Sequence, residues 1–259
     1  MKSVLLTGKN GTVAYAMQKE LADTYDISGM SIPRMDDVIT AGGPTTWKHQ
    51  CEAYRQLVME RLTAELRGKD AVVHLGWNTS DENHKAGLDP LNILVVDCVY
   101  QVAIAERVPR IYMASSVHSY DFEEAMAADG DPIKPFPDTR ENDFGAGTTS
   151  LYGVSKRWME IAGQFYAKQL QQDQKILCVR LGAVGRDETP HKFGSRLWDS
   201  HHDLAGLLSA FIECDDAPNF WVAFGVSDNH GGDYPRPLFD AVNPYGFKPA
   251  SNAYSEGQG

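Results

Sequence analysis

Cysteine is scarce in this chain and widely dispersed: Cys51, Cys98, Cys178 and Cys214 stand far apart, with no C-x-x-C among them. That spacing excludes a dense disulfide framework and a zinc ribbon, so the thiols are expected to be reduced, in a cytoplasmic protein. Long apolar runs are missing too; none approaches the roughly 20 residues needed to span a bilayer. The opening "MKSVLLTG" has one basic residue and an apolar run too brief for a secretory core, and it reads as a first buried strand. Positive charge is in deficit, with 24 Lys and Arg against 35 Asp and Glu and a formal net charge of −11. An acidic chain of this kind argues against a nucleic-acid backbone and against an anionic membrane surface as partners. Histidines are scattered (His118, His191, His201, His202), and the one adjacent pair diverges on a helix with no cysteine nearby. No metal site is expected.

What is present is an alternation of short apolar runs and longer helical stretches over 259 residues. "SVLLTG", "YDISGMS", "AVVHLG", "RIYMASS" and "KILCVRLG" read as strands. Between them, residues 13–25, 53–68, 92–108 and 150–170 carry apolar residues at helical spacing, and Gly68 sits where a C-cap belongs. Buried strands alternating with helices imply an α/β fold, a doubly wound parallel sheet covered on both faces, with ligands at the carboxyl edge of the strands. The rhythm changes after Gly182. Residues 1–182 are therefore expected to form the nucleotide-binding core. Residues 183–259, with one helix ("HHDLAGLLSAFIE") and one strand ("FWVAFGV"), are expected to form a small C-terminal substrate lobe of the same structural unit. Residues 120–147 read as a long ordered loop.

The first strand runs into "TGKNGTVA", with Gly8, Gly11 and Ala14 opening a helix. Such a turn lets the backbone approach a pyrophosphate, which then rests on the free N–H groups and positive dipole end of the helix. Cofactor choice is read at the end of the second strand. Ser31 falls there, followed by Arg34, with Lys9 as a second nearby cation; this set suits the 2′-phosphate of NADP better than the bare ribose of NAD. A shift of one or two positions would instead bring Asp36 into play.

"SLYGVSKRW" places Tyr152 and Lys156 one helical turn apart on one face, downstream of a strand that ends in Ser115–Ser116. A tyrosine ionises near 10 and is a poor base at neutral pH, but an adjacent ammonium favours its phenolate. A serine hydroxyl can then hold a substrate oxygen in line for proton transfer while a nicotinamide takes the hydride.

Taken in order, TGxxGxxA, "HLGW", Asn92, "ASS", "YGVSK" and "VRLG" resemble the extended short-chain dehydrogenase/reductase family over nearly the whole chain. The resemblance implies a Rossmann-type fold, with Tyr152 as general base, Lys156 bonding the nicotinamide ribose and Ser116 orienting the substrate. With the residues read above, the dinucleotide is expected to be held by Gly8, Lys9, Asn10, Gly11, Thr12, Val13, Ser31, Arg34, Leu75, Gly76, Trp77, Asn92, Ala114 and Ser115, together with Tyr152 and Lys156, although the second-strand acid typical of the NAD-dependent sugar enzymes is missing. Within the family, "LYGVSK", "LWDSHHDLAGLL" and "VAFGVSDN" look like the uronate and aldose 1-dehydrogenases, which implies oxidation of a sugar hemiacetal.

The substrate positions implied by that likeness are Thr79, Ser116, Val117, His118, Tyr152, Phe193 and Arg196. Several depart from the uronate pattern: Thr79 and Ala183 each replace a serine, and Val117 an asparagine. Phe193 stands where an arginine grips the carboxylate, with Arg196 three residues on as a substitute. A more apolar pocket discriminates poorly in favour of a charged, hydroxyl-rich substrate. An epimerase or dehydratase, a reductase of a non-sugar carbonyl, and a nucleotide sensor stay open beside the sugar dehydrogenase. The apolar helix "VVDCVYQVAIA" and the Tyr152 helix are expected to pack against a second copy in a homodimer.

Overall fold

The computed structural model describes residues 1–40, 42–78, 89–126, 130–135, 147–171, 173–190 and 195–256. Thr79 and Phe193 of the expected substrate set, and His191, lie outside them. In chain order the elements begin with strand β1 (Ser3–Thr7), helix α1 (Thr12–Leu21), strand β2 (Asp26–Met30), helices α2 (Met35–Thr40) and α3 (Trp47–Leu66) and strand β3 (Ala71–His74). Helix α4 (Pro90–Ala105), strand β4 (Arg110–Ser116), a 3₁₀ turn (Val117–Ser119), the single turn α5 (Glu123–Met126) and helix α6 (Leu151–Tyr166) follow. Strand β5 (Lys175–Leu181), helix α7 (His201–Glu213), strand β6 (Phe220–Gly225) and a last turn α8 (Ala253–Glu256) complete the fold.

The six strands form one sheet in the order β2-β1-β3-β4-β5-β6, and every pairing is parallel. Side chains alternate across each strand, and both sets are apolar. Leu5, Val72, Ile111 and Ile176 meet α3, α4 and α6 on one face through Val58, Leu62, Val96, Val99 and Met159. Val4, Leu6, Val73, Tyr112 and Val179 meet α1 and α7 on the other through Ala14, Met17, Leu204, Leu208 and Phe211. The chain leaves β1 for β2 on one side and returns to β3 on the other. A crevice therefore opens between the carboxyl ends of β1 and β3, where such sheets bind ligands.

Helix α3 buries Tyr54, Val58, Leu62 and Leu66, a stripe of period four, and beyond it Gly68 takes the left-handed conformation (φ +73°) expected of a C-cap. The helix starts six residues before the expected position, because its first turns are polar and show no apolar period. Helix α2 was not foreseen, and among its described side chains Val38 is the buried one. Past residue 182 the chain does not stand apart from the sheet. Helix α7 covers one sheet face, and β6 pairs along β5 from Ile176↔Phe220 to Leu181↔Gly225. The residues expected as a C-terminal lobe of the same unit thus contribute a helix layer and an edge strand to the sheet.

A third apolar cluster lies at the carboxyl edge, where Val117 and Phe122 pack against Phe224, Val226, Leu238 and Phe239. The four cysteines are free. No helix among the described residues is long and apolar enough to cross a membrane.

Candidate active site

The crevice is shaped by close backbone approach. Thr7 Oγ1 accepts the backbone N–H groups of Leu75 and Gly76, each at 3.1 Å, and lies 2.9 Å from His74 Nδ1. With its lone pairs so engaged, the hydroxyl donates its own proton to the imidazole. This hydroxyl staples the end of β1 to the turn after β3. Gly8 adopts φ +69°, and a Cβ on it would fall 2.8 Å from the Cα of Gly76. A Cβ on Gly76 would fall 2.6 Å from Ile32 Cγ1. Helix α1 then starts at Gly11, which offers no side-chain cap, so its first N–H groups are left for another acceptor.

A groove of about 580 Å³ runs from this turn, lined among others by Gly8, Asn10, Gly11, Ser31, Arg34, Leu75, Gly76, Trp77 and Asn92. The glycine cradle, the uncapped helix start and the groove beyond them together fit a dinucleotide. Thr12 and Val13 form the first turn of α1. Lys9 is exposed beside the groove, its stem close enough that a Cβ on Gly29 would meet Lys9 Cβ at 2.7 Å. At the end of β2, Ser31 and Arg34 are exposed, and Asp37 turns its carboxylate back to accept the Arg34 backbone N–H at 2.8 Å.

The expected reacting groups meet at the ends of β4 and α6. Ser150 caps α6 by accepting the Gly153 N–H at 3.1 Å, and Gly153 is small by necessity, since a Cβ there would lie 2.0 Å from the His118 carbonyl oxygen. That contact presses the first turn of α6, with Tyr152, onto the turn that follows β4. Tyr152 is hydrogen-bonded to Ser116, which draws its phenol towards ionisation, but burial outweighs this and the phenol stays above its ordinary value. Lys156 is buried and donates to the Ala114 carbonyl at 2.6 Å. Burial pushes its ammonium down to about 7, against the attraction of Glu160.

The expectation that the ammonium depresses the phenol is therefore corrected for the protein by itself: loss of water dominates both groups. Lys156 also bears on His74, which burial and that neighbouring charge hold neutral, down to about 3.

The serine pair divides its tasks. Ser116 faces Tyr152, whereas Ser115 donates to Glu160 Oε1 at 2.6 Å. Ser119 donates to the same oxygen at 2.9 Å, and Arg180 donates through Nε at 3.0 Å and Nη2 at 2.7 Å. This buried carboxylate–guanidinium knot, one helical turn below Lys156, was not anticipated from the sequence, although Arg180 is the arginine of "VRLG". The remaining expected residues are placed as follows. Asn92 exchanges hydrogen bonds with the backbone of Asn78, accepting at 3.0 Å and donating at 3.1 Å, so it braces the loop after β3. His118 pairs with Thr149 at 2.7 Å and lies edge-on to Tyr152. Val117 is buried in the third cluster. Arg196 is 5% exposed; its Nη1 donates to the carbonyls of Ala125 at 3.2 Å and Met126 at 2.8 Å, and its guanidinium lies over the Tyr234 ring.

Among the described residues, Glu20, Glu188 and His201 bring carboxylate and imidazole atoms within 4.8 Å of one another. Lys19 already supplies positive charge there, at 3.3 Å from Glu20 and 3.1 Å from Glu188.

The chain is 27% identical over 255 residues to a uronate dehydrogenase of Agrobacterium fabrum, covering 98% of this chain and 86% of that protein. It is 22% identical over 280 residues to an L-arabinose 1-dehydrogenase (NAD(P)(+)) of Haloferax volcanii, covering 98% of each. A solved structure of a mutated uronate dehydrogenase shares the fold with a TM-score of 0.69 at 20% identity, over 98% of this chain and 83% of that one. The family model described as "NAD dependent epimerase/dehydratase family" matches residues 4–202, and this chain, an enzyme of the extended short-chain dehydrogenase/reductase type, belongs to that family.

Proposed function

We propose that the protein transfers a hydride between a nicotinamide dinucleotide and the hemiacetal carbon of a sugar, as an aldose 1-dehydrogenase. The observation that carries this is the meeting of Tyr152, Ser116 and buried Lys156 at the end of a groove shaped for a dinucleotide. When bound, the nicotinamide supplies the hydride acceptor or donor. Ser116 orients the substrate oxygen, and Tyr152 takes that oxygen's proton in oxidation or returns it in reduction. Lys156 holds the ribose and steadies the charge of the phenol.

A neutral sugar suits the site better than a uronate. Arg196, the one expected substitute for a carboxylate-gripping arginine, commits its Nη1 to two carbonyls of α5, and Val117 is packed away among apolar side chains. The relatives point to sugars of both kinds, one being named for uronate and the other for L-arabinose. NADP is the favoured dinucleotide, because Arg34 and Ser31 line the groove while Asp37 is turned to a backbone amide. A second copy of the chain covers the outer face of α6, where Leu151, Val154, Ile161 and Phe165 are exposed. A sugar-nucleotide epimerase is less suited: basic residues past 182 are few in the sequence, and among the described ones Arg236 is paired with Asp131 at 2.6 Å and Arg196 is turned to two carbonyls.

The test is a panel of neutral aldoses, uronates and simple ketones, each with NAD and NADP, followed through the near-ultraviolet absorbance of reduced nicotinamide. Turnover of aldoses at higher kcat/KM than uronates, with NADP preferred, is the expected result. Absorbance that never changes while a sugar is interconverted would replace the dehydrogenase with an epimerase.

A further inference from the structure

We infer that Trp77 is a positioning residue: its indole, lying over the ammonium of Lys156, holds that nitrogen charged and aimed in a site from which water is excluded. The inference rests on the reading of Lys156 given above and names the group that sustains it. Lys156 is 3% exposed, so its charge must be balanced by protein atoms or be lost. An ammonium offers three N–H donors. One goes to the Ala114 carbonyl at 2.6 Å. The Trp77 ring centroid is 3.9 Å from Nζ, well inside the roughly 6 Å over which a ring face attracts a cation, and indole is the strongest such face among side chains. The ring of Tyr152 is further off, at 5.7 Å.

The charged and titratable groups on the elements packed against Lys156 leave this task to the indole. On β3, His74 is 1% exposed, lies in hydrogen-bond contact with the Thr7 hydroxyl through Nδ1 and is held neutral, so it brings no negative charge. On α6, Glu160 attracts the ammonium, but its two oxygens already receive two guanidinium N–H groups from Arg180 on β5 and two hydroxyls from Ser115 and Ser119. Tyr152 is neutral, since burial holds its phenol up. Among the described residues, what remains beside the carbonyl is the negative face of the indole. Its position is fixed in turn: the next residue, Asn78, exchanges two backbone hydrogen bonds with the Asn92 side chain, and Trp77 packs against the α3–α4 core. Asn92 thereby acts on Lys156 through Trp77.

Two measurements test this. The first follows the indole N–H resonances of ¹⁵N-labelled protein against pH. The resonance absent from Trp77→Phe should shift with a midpoint near the lysine value of about 7 and stay still in Lys156→Met. A resonance that does not titrate, or that titrates equally in Lys156→Met, overturns the inference.

The second is the pH profile of kcat/KM for the dinucleotide, in the direction of carbonyl reduction. Trp77→Leu should move its alkaline limb about one pH unit towards acid, whatever the loss on the low-pH plateau from its place in the dinucleotide groove, and the shift should be partly rescued by Trp77→Phe. An alkaline limb in Trp77→Leu at the wild-type position overturns it, as does equal loss at every pH. Should Trp77→Leu fail to fold, as judged by near-ultraviolet circular dichroism, the resonance titration decides alone. If the resonance titrates as expected while Tyr152→Phe keeps full turnover, the indole–ammonium contact stands and the proposed catalytic role falls.

Discussion

Gly76 has no room for a methyl group, since its Cβ would meet Ile32 at 2.6 Å, and Ile32 lines the groove. Gly76→Ala is therefore expected to displace Ile32 and weaken dinucleotide binding about tenfold, by ~1.4 kcal/mol, in a calorimetric titration, with a stability loss of about 1–3 kcal/mol read separately by thermal unfolding. The Glu160–Arg180 pair sets a different expectation. Glu160→Gln leaves a fully buried guanidinium without its carboxylate, a loss of about 3–5 kcal/mol, visible as a fall of about 10 °C in Tm. The pH dependence also follows at this scale. Reduction needs the Tyr152 proton and the Lys156 charge; the phenol is held up and the ammonium down to about 7. Both requirements are met below that value, so kcat/KM for the dinucleotide in reduction should be flat below about pH 6. It should fall about tenfold per unit above the lysine pKa. Tyr152 and Lys156 could be picked out as a candidate pair because they stand four positions apart on one helix, whereas Ser116, far off in sequence, came from the strand-end pattern and the family resemblance. Thr7, Glu160 and the clasp of Arg196 were not legible. Their partners lie 20 to 71 positions away and meet only when the sheet forms.

At the scale of elements, α6 carries the chemistry on one face and an apolar stripe on another. Its first turn is held by Ser150 and by the contact of Gly153 with the His118 carbonyl. Gly153→Ala cannot relieve a clash with backbone, so it should cost about 1–3 kcal/mol of stability and displace Tyr152. The check is turnover measured alongside thermal unfolding, with both expected to fall together. Most elements were readable from apolar period alone: β4 and α7 begin and end where the pattern places them. The misses have physical causes. The start of α3 is polar, and α2 is too short to show a period. The described part of the loop after β4 contains a helical turn, α5, tied by Arg196 rather than by any local signal.

For the whole molecule, the sheet's alternation of apolar strands and helices was legible, and so was its crevice, because the connection rules leave few topologies open. That β6 completes the sheet could not be read from the change in composition after Gly182. Assembly adds a prediction at this scale. Ile161 and Phe165 are 52% and 59% exposed on α6; on the homodimer proposed above, the parent protein should sediment as a dimer and Ile161→Glu with Phe165→Glu as a monomer, while the fold persists. All of this depends on one phenol acting as the proton carrier for hydride transfer. Its most direct test is Tyr152→Phe, which deletes only the hydroxyl: kcat should drop by about 10²-fold or more while dinucleotide affinity, titrated separately, stays unchanged. Turnover within a few-fold of the parent enzyme would contradict the account.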